Sequence, residues 1–66
     1  MKVTINGLPR ELPDQLSVAA LLELEGEPPG HVVVEVNGHF VPAAEHAALH
    51  LADGDRIEVI LPAFGG

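Results

Sequence analysis

Few residue types in this 66-residue chain could do chemistry. There is no cysteine, so thiol nucleophiles, thiolate metal ligands and disulfides are all excluded. Ser17 is the single serine, and it sits where a helix needs an N-cap. Of the four histidines, His46 and His50 are four residues apart beside Glu45. On a helix they would share a face and could offer two metal ligands. No third ligand is defined and the HExxH pattern is absent, so both read as solvated polar residues on a loop. His31 and His39 have no partner by spacing. Acid–base work by paired carboxylates needs a cleft between them. Glu23, Glu25, Glu27 and Glu58 are instead scattered as on a solvated face, and Asp53 and Asp55 read as turn residues.

The remaining candidate is the ending Phe64-Gly65-Gly66. Only glycine lacks a Cβ, so two in succession can thread a channel too narrow for any other residue. The expected active group is the α-carboxylate of Gly66, with Gly65 as the second threading residue and Phe64 as an apolar contact to a partner. A carboxylate resists nucleophiles until one oxygen becomes a good leaving group. Attack on the α-phosphate of ATP achieves this, giving an acyl-adenylate. A sulfur donor can then displace AMP and leave a thiocarboxylate, whereas an amine leaves an amide. Both need another protein's ATP site, so the chain is read as a carrier and not an enzyme, with no cofactor of its own.

Composition agrees with that division of labour. Sixty-six residues make one domain with little room for a deep cavity. Ten acidic residues face three Lys and Arg, for a net charge of −7. The basic stripe of a nucleic-acid binder is missing, and anionic membranes are disfavoured for the same reason. A partner with a basic surface is favoured, although acidity also serves solubility. The first residues lack the apolar run of a signal peptide, and no stretch approaches about 18 consecutive apolar residues. The expected location is cytoplasmic.

The elements that position these residues follow from periodicity. In "KVTIN" Val3 and Ile5 alternate with Lys2 and Thr4, the pattern of a half-buried strand. Asn6-Gly7 suits a tight type I′ turn, and Leu8–Leu12 is the return strand. Pro9 places that return at a sheet edge. Ser17 then caps a helix over about 18–25, which Gly26 ends. "EPPG" is a loop. In "HVVVEVNGHFVP", Val32, Val34 and Val36 share a face, Asn37-Gly38 turns, and Phe40 and Val41 return as far as Pro42. A short irregular or helical stretch leads to the Asp53-Gly54-Asp55 turn. The last strand is "RIEVIL", with Ile57, Val59 and Leu61 inward, and Pro62 ends it.

One helix across a mixed sheet buries both apolar faces. This order of elements is that of an α+β β-grasp, the ubiquitin-like architecture, with first and last strands parallel at the sheet centre. The domain spans 1–62, and 63–66 is a flexible tail projecting beyond the central strand. If Ile57, Val59 and Leu61 face the helix, Ile60 faces outward, and Val33 is exposed beside Glu35 by the same parity. Ile60, Val33 and Phe64 are therefore the expected partner-binding residues.

"VNGHFVP", "EHAALHLADGDRIEV" and the final "GG", with "INGLPREL" and "SVAALLELEG" before them, resemble the ThiS family, the sulfur carriers of thiamine biosynthesis. The likeness runs along almost the whole chain. It implies a β-grasp whose terminal glycine, Gly66 here, is adenylated by a ThiF-type enzyme using ATP. Conversion to a thiocarboxylate follows, with sulfur usually derived from cysteine through a desulfurase, and thiazole synthase receives it. By the same resemblance, Asp53, Gly54 and Asp55 match the family's turn before the last strand. Ala43 stands where members often have arginine, so a contact made by that arginine is lost. "PAF" is similar to the small subunit of molybdopterin synthase, usually a longer chain. Carriers for molybdopterin synthesis or tRNA thiolation, a ubiquitin-like modifier and a plain interaction module are the alternative readings.

Overall fold

The computed structural model describes residues 1–62; the expectations for Phe64, Gly65 and Gly66 lie outside the described residues. The chain forms β1 (Lys2–Ile5), β2 (Leu8–Glu11), α1 (Val18–Glu25), β3 (Val33–Val36), β4 (His39–Val41) and β5 (Arg56–Ile60). Single 3-10 turns at Pro29–His31 and Ala43–Glu45 interrupt the two longer connections. The strands make one sheet in the order β2-β1-β5-β3-β4. β1 and β5 run parallel, with Ile5 opposite Ile57, and all other pairings are antiparallel. The result is the expected β-grasp, with β5 at the centre.

Local chemistry explains the turns and the helix ends. Asn6 and Gly7 have φ of 51° and 82°, and Asn37 and Gly38 have 53° and 82°. Positive φ at both central residues is what a type I′ turn demands. β2 lies at an edge, where the missing N–H of Pro9 is tolerated. At the start of α1, Ser17 Oγ accepts from Ala20 N at 3.1 Å. Val18 N and Ala19 N, which have no acceptor within the helix, donate to the carbonyls of Leu49 and His46. At the other end Gly26 adopts φ 70°. Gly26 N donates to Glu23 O and Glu27 N to Leu22 O, the paired bonds of a Schellman ending.

Val18, Leu21 and Leu22 of α1 are fully buried against Val3, Ile5, Val34, Val36 and Ile57 of the sheet. Burying each such side chain is worth about 1.5–3 kcal/mol. Leu51 also belongs to this core. No periodicity marks it, because the stretch after β4 is irregular and is held by backbone bonds to the helix start, including Leu51 N to Leu16 O. The Asp53-Gly54-Asp55 turn is structural, as read from the sequence. Asp53 Oδ1 accepts from Lys2 N, Asp55 Oδ2 accepts from Ala52 N, and Gly54 N donates to Lys2 O.

Three expectations are corrected. β5 ends at Ile60, and Leu61 is 67% exposed instead of inward-facing. The chain leaves the sheet there, so strand parity no longer directs its side chain. Val33 is half-buried and not exposed, because it lies directly opposite Ile60 on the neighbouring strand. His46 is buried, at 4% exposure. The helical turn that would have paired it with His50 ends at Glu45, and His46 turns inward while His50 stays exposed.

Candidate functional site: the outer sheet face and the root of the C-terminal segment

One face of the sheet packs on α1, and the other carries the odd-numbered residues of β3 and the even-numbered residues of β4 and β5. Register places Val33 opposite Ile60, Glu35 opposite Glu58, and Glu35 also opposite Phe40. Ile60 is 41% exposed and Phe40 61% exposed, so two large apolar side chains stand in solvent on this face. Two of the three residues expected to bind a partner, Ile60 and Val33, are thus cross-strand neighbours. Phe40 was read only as part of a return strand; strand parity applied to β4 would have found it.

The root of the C-terminal segment is held by a residue that sequence reading assigned only to a turn. Asn6 Oδ1 accepts from Val59 N at 2.8 Å, and Asn6 Nδ2 donates to Val59 O at 3.3 Å. Asn6 N also donates to Ile57 O. A cavity of about 130 Å³ lies beside this clamp, lined by Ile5, Asn6, Glu25, Glu27, Val59 and Leu61. Its carboxylates give the exit an acidic border. Glu25 is half-buried, and its Oε1 lies 2.6 Å from Arg10 Nη2, an ion pair without the alignment of a straight hydrogen bond.

The other candidate groups do not assemble into a reactive centre. The Nε2 of His46 lies 3.1 Å from Val41 O. A carbonyl can only accept, so Nε2 carries the proton and donates. The ring therefore ties the stretch after β4 to the end of that strand. His46 Nδ1 is buried and has no hydrogen-bond partner among the described residues. Also among the described residues, no three His, Asp or Glu side chains converge as metal ligands, and no helix is long and apolar enough to cross a membrane. Ser17 is committed to its cap.

The model of the ThiS family matches residues 3–66. The thiazole synthase of Paramagnetospirillum magneticum is 36% identical over all 66 residues, and the chain spans about a fifth of that relative's length, 20%. The crystal structure of the thiamine biosynthesis protein (ThiS) from Geobacter metallireducens superposes with a TM-score of 0.87 at 32% identity, covering 100% of both chains. A ubiquitin-like protein from Caldiarchaeum subterraneum shares the fold, with a TM-score of 0.56 at 23% identity over 98% of this chain and 100% of its own. Given a family match that runs through the fold and on to Gly66, and superposition on a member of the same family, the chain belongs to the ThiS family.

Proposed function

We propose that this protein carries sulfur on the carboxylate of Gly66 and hands it to thiazole formation. The observation that carries this reading is the ThiS match, which extends through Gly65 to Gly66. The Gly66 carboxylate attacks the α-phosphorus of ATP in a ThiF-type adenylyltransferase, releasing pyrophosphate and forming an acyl-adenylate. A persulfide, supplied through a cysteine desulfurase, displaces AMP to give an acyl disulfide. A thiol of the partner enzymes then cleaves the S–S bond reductively, taking the other sulfur into a disulfide and leaving the thiocarboxylate. ATP belongs to the activating enzyme, and the carrier itself catalyses no step. Ser17, Asp53, Asp55 and Asn6 engage their side chains in a helix cap, a turn and a strand end.

Thiazole synthase is the proposed acceptor. A protein of that name contains a segment similar to this entire chain, which favours it over molybdopterin or tRNA acceptors. The proposed docking surface is the outer sheet face around Ile60 and Val33, with Phe64 completing the contact as the tail enters the ATP site. The proposed domain is 1–62 with 63–66 as the threading tail, working in the cytoplasm.

The test is carrier-dependent ATP–pyrophosphate exchange with the activating enzyme of the same organism, together with intact mass spectrometry of the protein isolated from its native host. The expected product has sulfur in place of one oxygen, localised to Gly66. An isopeptide adduct to a lysine, or no exchange at all, would overturn the reading.

A further inference from the structure

On the outer face, Glu35 and Glu58 are directly opposed across β3 and β5. Like charges at directly opposite positions of an antiparallel pair are destabilising. The described residues do not relieve this repulsion. Their ion pairs are Met1 with Asp14 and Arg10 with Glu25, and neither involves these two carboxylates. Arg56 stands two residues before Glu58 on the same strand but makes no ion pair with either. The opposed carboxylates are framed by apolar groups, with Phe40 beside Glu35 across β4 and the Val33–Ile60 pair one step along.

We propose that Glu35 and Glu58 together receive an arginine side chain of the docking partner, with Phe40, Val33 and Ile60 packing against the apolar residues around it. This rests on the carrier reading above. A guanidinium presents five N–H donors in a planar fork, so it can serve two neighbouring carboxylates at once. Closing the apolar frame over the pair removes water and strengthens the charged hydrogen bonds.

Charge argues against the other occupants. A second copy seated on this face through two-fold symmetry would bring its own Glu35 and Glu58 against these, in a protein already at −7. A divalent cation would want six or more oxygen ligands, and no third His, Asp or Glu joins the pair among the described residues.

The test compares Glu35→Gln, Glu58→Gln and the double variant with the wild type in carrier-dependent pyrophosphate exchange by the activating enzyme. Each single variant is expected to raise the KM for the carrier about tenfold, the scale of one charged hydrogen bond, with the effect on KM and not kcat. The wild-type KM should climb with added salt, and that of the double variant should respond little. The Tm of each isolated variant should be equal to or above that of the wild type, since a repulsion is removed. A carboxylate pair needed only for folding would lower Tm instead, and that outcome overturns the proposal. So does a double variant with a KM within twofold of wild type, which leaves the carrier reading standing. Dimerisation of the wild type that the variants abolish assigns the face to a second copy and overturns it. Sub-millimolar magnesium binding by calorimetry, lost in the variants, overturns it in favour of a cation. Absence of exchange with the wild-type protein defeats the carrier reading itself, and this inference with it.

Discussion

The carboxamide of Asn6 brackets the backbone of Val59, accepting from its N–H at 2.8 Å and donating to its carbonyl at 3.3 Å. β1 and β5 are paired in parallel through Ile5 and Ile57, and β1 then turns away at Asn6-Gly7. The backbone that would continue the ladder is gone, and the Asn6 side chain stands in for it. Asn37 does comparable work at the start of the same strand, where its Oδ1 accepts from Arg56 N and its Nδ2 donates to Asp55 Oδ1. The central strand is thus held near both ends by the asparagines of its two neighbouring hairpins.

Replacing Asn6 by glycine keeps the positive φ but deletes both bonds to Val59. The expected loss is about 1–2 kcal/mol in urea unfolding, from two net hydrogen bonds. Asn37→Gly should cost a similar amount. If Asn6 served the turn alone, Asn6→Gly would be close to neutral.

His46→Ala should destabilise the fold by about 2–3 kcal/mol. The ring is buried, its removal leaves a void, and Val41 O loses its donor. A solvated loop histidine would change stability by less than about 0.5 kcal/mol, so thermal or chemical unfolding separates the two cases.

Ile60→Glu should cost less than about 1 kcal/mol, because the side chain lies on the outer face opposite Val33 and is 41% exposed. The same change should raise the KM for the carrier in pyrophosphate exchange. It removes part of the apolar surface that frames the Glu35–Glu58 pair. Unfolding of the variant would show that Ile60 supports the core.

Deleting Gly66 should abolish exchange and leave Tm within experimental error. The buried hydrophobic core of the described residues ends at Ile57, nine positions earlier. Exchange by the truncated protein at the wild-type rate would show that Gly66 is not the activated residue.

Much of the fold was legible because its signals are short-range. Asn6-Gly7 and Asn37-Gly38 declare their turns, Ser17 and Gly26 mark the helix ends, and alternation puts Val34 and Val36 in the core. Each depends on sterics or hydrogen bonds within about five residues, so the chain states them locally. The ordered set of these signals also carried the resemblance to ThiS. The tertiary structure decided what depends on residues far apart. Asn6 meets Val59 across 53 positions, and His46 turns inward only because β4 offers a carbonyl and α1 a start to pack against. Glu35 and Glu58 are 23 residues apart in sequence and become opposed only through the register of β3 on β5. Composition and parity identify which side chains can face outward. Which of them meet is set by strand pairing, a long-range consequence of burying the two apolar faces together.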